Sequence, residues 1–593
     1  MKLHSKRGRF LPPLTTLLLF IILSSIGIPT LMAQTSSAGA VSGVVLDQQG
    51  AAIQGVDVRI IDPRTNTTLS TVTNDAGRFV FPAVPPATYN VTFTKPGFTT
   101  RKVSKQQVSI GGDLTLNATL EVGSVSNVVE VTASPGAELQ TVNASVGSAV
   151  SGASLTLLPL FGSDVSSLAN LQPGVSPEGA TAGAMYDQNV FQLDGGNNSN
   201  DMDGSMRDYT GSFSKSAFGG MAGAAAAGPP SGVVPTPPDT IEEIKVSTSG
   251  TTADFNGASG SQIQVVTKRG TNDFHGSAYY YYNSSNVAGA NSWDNNHTLL
   301  PDGSATPIPI SHNQHYGFTI GGPILPKMLG GKTYFFFGLE GFNFNNSALI
   351  NRQVPTATLR AGVIQINEGG TYVPYNVNPF PVTVGGTTYQ PAACGTISCD
   401  PRGIGLNSQV SQIWNKFMPL PNNTNLGDGN NVEGFQGQAL LPERTKAIVG
   451  RIDHDFGDKW RLFSTYRYYG LTQLTTNQID IGGALPGDKF GVPAARAPRP
   501  QKPELFVVGL STTISPTMTN DFHWNFTKIW WQWASSAAPP QLPGLGGALE
   551  IGGETANALI PYNVNNQSVR QRFWDGHDTL WKDDVTKISS NHV

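Results

Sequence analysis

The strongest constraint on what this chain can fold into is a two-residue rhythm in its second half. Phe335, Phe337 and Leu339 alternate with Phe336, Gly338 and Glu340. Tyr316, Phe318 and Ile320 alternate with Gly317, Thr319 and Gly321, and Phe522, Trp524 and Phe526 with Asp521, His523, Asn525 and Thr527. Successive side chains on a β-strand point to opposite faces, so each run has one apolar and one small or polar face. Sustained over roughly ten residues, this is the pattern of a strand that crosses a bilayer with its apolar side to lipid. A soluble sandwich also alternates, and the connections separate the two. Candidate strands fall at 275–283, 315–323, 332–342, 445–456, 459–470, 504–514, 519–533 and 578–589. The gaps after the first, third, fifth and seventh are long and the others short, as when short periplasmic turns alternate with long outer loops. Tyr279 to Tyr282, Tyr466 to Tyr469 and Trp530 to Trp533 suit interfacial aromatic girdles.

Composition agrees. Charged residues make up 13% of the 593, about half the globular average. Lys2, Lys6, Arg7 and Arg9 precede the apolar run Leu14 to Ile28, and Leu31-Met32-Ala33 forms a cleavage site, so residues 1–33 read as an export signal. Its removal takes away four positive charges and moves the formal charge from −4 to −8, which argues against nucleic acid as a partner. No later segment has the length of a membrane helix; a crossing is made by strands. Cys394 and Cys399, close together in an exported loop, read as a local disulfide. Two sulfurs without a nearby histidine are half a ligand set, so no metal and no cofactor is expected. His312 and His315 open a strand and read as surface histidines. Leu329-Gly330-Gly331-Lys332-Thr333 ends like a phosphate loop, but Pro326 stands where its first glycine belongs, so it reads as a hairpin turn.

The front of the chain has a shorter rhythm. VSGVVLD, VDVRIID, RFVFPAV, YNVTFTK and LTLNATLEV are short alternating strands separated by Asp, Asn, Gly and Pro turns. They predict a small β-sandwich over residues 40–122. The string TNDAGRFVFPAVPPATYNVTFTKPGF (73–98) resembles the carboxypeptidase regulatory-like domain, a prealbumin-like sandwich, with Ala87 in place of the usual glycine. In that family the domain is an accessory fold, and no catalytic cluster stands here.

Residues 123–138 form a linker holding a short strand of high β-propensity, Val128, Val129, Glu130, Val131 and Thr132, before Ser-Pro-Gly breaks it. An extended segment of this kind can add to another protein's sheet. It resembles a TonB box, which implies the TonB energy-coupling protein as partner. It reads equally as the last strand of the sandwich.

Over residues 139–268, LPLFGSDVSSLANLQPGV, FQLDGGNNSNDMDGS and TIEEIKVSTSGTTADFNGASGSQIQVVTKRGTNDFHGS resemble, in order, the plug domain of TonB-dependent receptors; Ser163 replaces a usual arginine. One helix is expected at Asp164 to Leu171. The run at 191–205 is dense in oxygen ligands, but with Gly204 at position 6 of a calcium loop, positions 1 and 12 are Ser199 and Thr210, and the bidentate acid is missing. It reads as a turn, Asp194-Gly195-Gly196, followed by a solvated loop bonding its own backbone. Asp194, Asn197, Asn198, Asp201 and Asp203 are the ligand-facing candidates. After residue 268, GFTIGGPI (317–324), KTYFFFGLEGF (332–342), VPTATLRAG (354–362), MPLPN (418–422) and GRIDHDFGDKWRLF (450–463) resemble the Oar-like subgroup of TonB-dependent receptors.

The expected fold is mainly β: a prealbumin-like sandwich, a mixed α/β plug, then a partial transmembrane antiparallel barrel of about eight strands over 269–593. Plugged transporters use about 22 strands, so the chain reads as the N-terminal portion of a longer receptor. The expected function is outer-membrane uptake of an unknown extracellular ligand, energised through TonB, with outer-membrane lipid around the barrel. The alternative is a surface adhesion or scaffold protein that transports nothing. No triad, zinc set or paired carboxylates suggest an enzyme.

Overall fold

A computed structural model of the chain describes residues 37–123, 128–132, parts of 146–199, 232–249, 260–284, 311–324, 332–515, 518–533, 559–564 and 572–587. The export signal, Asp201, Asp203, the Gly-Gly-Lys turn up to Gly331 and most of the helix expected at Asp164–Leu171 lie outside them.

Nine short strands build the front unit: β1 (Gly39–Asp47), β2 (Asp57–Asp62), β3 (Thr67–Val72), β4 (Arg78–Val84), β5 (Ala87–Thr94), β6 (Thr100–Val108), β7 (Asp113–Thr115), β8 (Ala118–Leu120) and β9 (Val128–Thr132). One sheet has β1 at its centre, between β4 on one edge and β7 and β8 on the other; the second runs β3-β2-β5-β6-β9. The inward positions of both supply one core, including Val41, Val45, Val58, Ile60, Phe79, Phe81, Val91 and Phe93. Burial of such side chains contributes roughly 1.5–3 kcal/mol each. Strands β3 and β6 were not foreseen. TTLSTV and TRKVSKQQV give the core only Leu69, Val103 and Val108, too few to show an apolar alternation, and their pairing with β2 and β5 makes them strands.

The central unit is a five-stranded sheet of β10 (Val146–Ser151), β11 (Val190–Leu193), β12 (Gly196–Asn197), β13 (Ile241–Ser249) and β14 (Gln262–Thr267), in the order β10-β13-β14-β11-β12. All six residues of β14 are buried, Gln262 and Gln264 included.

The last unit is a wall of long antiparallel strands, β15 (His275–Ser284), β16 (Ser311–Ile324), β17 (Lys332–Pro355), β18 (Val432–Phe456), β19 (Trp460–Gly482), β20 (Glu504–Ser515), β21 (Met518–Trp533) and β22 (Arg572–Lys587), each hydrogen-bonded to the next. The eight expected strands are present, separated along the chain by alternately long and short stretches of sequence. Tyr316, Phe318, Ile320 and Ile452 are exposed on the outer face, and Tyr334, Phe336, Glu340, Asp521, His523 and Asn525 are buried on the inner one. Among the described residues β15 and β22 pair on one side only, so the sheet is open.

The strands run longer than the alternation predicts. The 24 residues of β17, at about 3.4 Å each, reach about 80 Å, well past a roughly 25 Å apolar band. Beyond that band the outer face has no need of apolar residues, so the periodicity fades while the ladder continues. The connection after β17 is built, not loose. Arg360 donates to the carbonyl oxygens of Pro355, Trp414, Met418 and Pro419, so the VPTATLRAG and MPLPN motifs are two halves of one tertiary contact. Cys394 and Cys399 are bridged there, with Cα atoms 4.8 Å apart.

The central unit sits against the inner face of the wall. One apolar core joins Leu155, Val165, Leu168, Phe191, Leu193, Ile244 and Val265 to Ala447, Tyr469, Leu471, Leu505, Val507 and Ile529 of the wall.

Candidate functional site

The Asp-Gly turn foreseen at 194–195 is where the central unit is fastened. Asp194 has φ 50° and Gly195 φ 82°, both left-handed, and Leu193 pairs with Gly196 across them. This is the two-residue hairpin turn that Asp-Gly favours. Strand β11 pairs in parallel with β14, Leu193 opposite Val265, which brings the Asp194 carboxylate to the end of β14. There it accepts the Thr267 amide at 2.7 Å and the Thr267 hydroxyl at 2.5 Å.

Two wall arginines complete the cluster. Arg451 Nη1 donates to Asp194 Oδ1 at 3.4 Å and to the Thr267 carbonyl at 3.0 Å. Its Nε and Nη2 hold Asp453 at 2.9 and 2.8 Å. Arg467 Nη2 donates to the Thr267 hydroxyl at 2.6 Å. Asp194, Arg451 and Arg467 are 1%, 8% and 0% exposed, so the ionic contacts are shielded from water and salt. A buried charge is costly unless it is paired; Arg451 is paired with both Asp194 and Asp453, and that pairing spans two units of the fold.

The rest of the small-residue run serves the same junction. Asn197 donates to Asp578 at 2.8 Å and its carbonyl accepts from Thr527 at 2.9 Å. A Cβ on Gly196 would lie 2.9 Å from both Asn525 and Val507, so only glycine lets the backbone approach the wall. Asn198 is fully buried, accepting the Val234 amide and donating to the Val234 carbonyl. The expectation of a solvated loop is therefore corrected for residues 194–199. The residue types are those of a loop, but Asp194, Gly196 and Asn197 pack against the wall and Asn198 is held by Val234. Nothing in the local sequence reports a neighbour 257 positions away.

Two other readings change. Val128–Thr132 pairs in parallel with β6, Thr100 opposite Val128 through Ser104 opposite Thr132; of the two alternatives, it has the geometry of a sandwich strand. His315 is not a surface histidine. Its ring stacks on Phe342 at 3.7 Å and its Nε2 lies 3.0 Å from Glu340, which also accepts the Tyr279 hydroxyl at 2.6 Å. The missed signal was positional: His315, Arg451, Asp453 and Arg467 all fall on the non-lipid beat of a membrane strand, where a charged residue faces the lumen. No group of three or more metal-ligating side chains occurs among the described residues.

Residues 266–593 match the family of the outer membrane beta barrel domain, and residues 40–121 match the carboxypeptidase regulatory-like domain. The chain belongs to the outer membrane β-barrel family. An outer-membrane barrel protein of this family has its short-turn rim in the periplasm and its long connections outside, so the crown around Arg360 and the disulfide faces outward. Over 323 residues the chain is 24% identical to the TonB-dependent transporter Oar of Myxococcus xanthus, covering 52% of this chain and 27% of that protein. The chain therefore spans about a quarter of the length of the curated relative it matches. Among solved structures it is similar to the outer membrane transporter YddB of Escherichia coli (12% identity, TM-score 0.37, 66% of this chain and 39% of that one). It is also similar to the ferric enterobactin receptor PfeA of Pseudomonas aeruginosa (12% identity, TM-score 0.35, 74% and 45%). These relatives are transporters and receptors, not enzymes.

Proposed function

We propose that this barrel protein works as an outer-membrane receptor of the TonB-dependent, Oar-like kind, with the central unit as its plug and Val128–Thr132 as the segment that TonB engages. The observation that carries the reading is the central sheet held inside the wall by Asp194, Thr267, Arg451 and Arg467. An adhesin or scaffold needs no such internal stopper, whereas a transporter needs one that is secured yet removable. In this reading the ligand is extracellular and meets the outward crown and the lumenal wall. Asp194, Asn197 and Asn198 act on it indirectly, by securing the plug, since their polar atoms are engaged within the protein.

Capture of the whole receptor by the purified C-terminal domain of TonB tests the partner. Binding is expected for the unaltered protein and is expected to disappear on deletion of residues 127–132. Capture that survives the deletion, or is absent from the unaltered protein, would overturn the assignment of this segment.

A further inference from the structure

The sandwich is tied to both of the other units, and the contacts converge on one strand of the central sheet. Arg64, in the turn between β2 and β3, donates to Glu242 at 2.9 Å. The Ile110 amide donates to Glu243 at 3.1 Å, and Lys245 Nζ donates to the Gly111 carbonyl at 2.6 Å. Glu242, Glu243 and Lys245 all lie on β13, the strand that joins β10 to β14 in the sheet. The Arg64 turn is wedged against the wall as well. Asn66 has φ 53°, a left-handed conformation that asparagine tolerates. The adjacent Thr65 carbonyl accepts from Lys332 Nζ at 2.9 Å and from the Tyr334 hydroxyl at 3.1 Å. Thr67 donates to Asp455 at 2.9 Å, and the Asn272 amide to the Arg64 carbonyl at 3.0 Å.

On the same sandwich, β9 is the outermost strand of its sheet. Its link onward to the central sheet is the chain between Thr132 and Val146, thirteen residues that extend to about 45 Å at most. A pull on β9 thus meets two routes to the central sheet. One is a long single chain. The other is stiff: the β6–β9 ladder, the sandwich core, and the contacts to β13.

We propose that the sandwich is a clamp on the central sheet, and that force applied at Val128–Thr132 must lift the clamp from β13 and the barrel mouth before that sheet can move. This deepens the reading of Val128–Thr132 as a coupling segment and rests on it. The segment is stored in the part that restrains the plug, so engagement and release are one event. Glu242, Glu243 and Lys245 are positioning residues; none needs to touch a ligand.

The test is single-molecule pulling on the whole receptor in a supported bilayer, through a handle attached after Thr132, so that it does not depend on TonB binding. The unaltered protein is expected to show a first rupture ahead of the one that unfolds the central sheet. In the double variant Arg64→Ala, Lys245→Ala the first force should fall by at least half and the second stay unchanged. A second variant guards against a folding defect: Thr67→Cys with Asp455→Cys, bridged by a short bis-maleimide, should shift unfolding of the central sheet to higher force, while either single cysteine should not. A single rupture in the unaltered protein, a first rupture insensitive to the double variant, or a bridged protein that unfolds as before would overturn the clamp. Loss of TonB capture alone would count against the coupling assignment and leave the clamp standing.

Discussion

The central sheet is held at two places by different chemistry. On the wall side, Asp194, Thr267, Arg451, Asp453 and Arg467 form a dry cluster joined mainly side chain to side chain. On the sandwich side, Arg64 and Glu242 are about one-third and one-quarter exposed, and Glu243 and Lys245 reach a backbone amide and a backbone carbonyl. A buried ionic cluster is costly to open because each charge left behind is desolvated; a partly exposed pair is worth less. The wall latch therefore fixes where the sheet sits, and under the clamp proposal the sandwich contact is the one that lets go first.

Removing the centre of the latch should have the largest effect. Arg451→Ala leaves Asp194 and Asp453 buried without their common partner, which costs about 3–5 kcal/mol. Hydrogen exchange at the Val265–Thr267 amides should accelerate at least a hundredfold. Asp194→Asn should cost less, because Arg451 keeps Asp453. If the two variants exchange alike, the cluster is not centred on Arg451. Next comes Gly196→Ala, whose new methyl meets Asn525 and Val507 at 2.9 Å. Overpacking of this kind costs about 1–3 kcal/mol, and denaturant titration of the whole receptor should show it. An unchanged midpoint would mean the wall gives way there.

On the other side of the comparison, Arg64→Ala should cost about 1 kcal/mol or less, since the pair with Glu242 is still partly exposed to water. Protection of the β13 amides should fall a few-fold, with no change at Thr267. Equal changes at both ends would show that the two fastenings act as one.

What the sequence discloses follows the same division. The lipid-facing beat, the sandwich turns, the Asp-Gly hairpin and the local disulfide depend on neighbours within a few residues, and each was readable. The latch was not. Asp194 reads as a turn residue and Arg451 as one polar beat of a strand, and only the packing of the wall against the sheet joins them. Strands β3 and β6 hid for a related reason, since they carry too few apolar residues to show an alternation and are recognisable only by the ladders that hold them. Glu243 and Lys245 read as the polar positions of a strand; the sandwich that covers them makes them buried.

That burial sets the smallest and most specific prediction. Desolvation, only partly offset by the Ile110 amide and the Ser109 hydroxyl, pushes the Glu243 carboxyl up to about 7. Glu242 adds to the rise and Lys245 opposes it, while Arg64, lowered by its own burial but raised further by Glu242 and Asp62, stays charged. With the sandwich lifted, water reaches Glu243 and its pKa returns toward the ordinary carboxylate value of 4.5. Docking therefore takes up a proton. The contact is tightest below that ordinary value, where Glu243 is neutral in both states. It weakens as pH rises toward about 7, by up to roughly tenfold in the docking equilibrium per pH unit. Above about 7 the carboxyl is charged in both states and the dependence levels off. Exchange protection at Ile110 and across β13, corrected for intrinsic rates, should be greater at pH 5 than at pH 8, and Glu243→Gln should flatten the dependence. Protection at Thr267 should not respond, because the hydrogen bonds of the latch do not involve Glu243. A pH response of equal size at both fastenings would mean that the clamp and the latch open together.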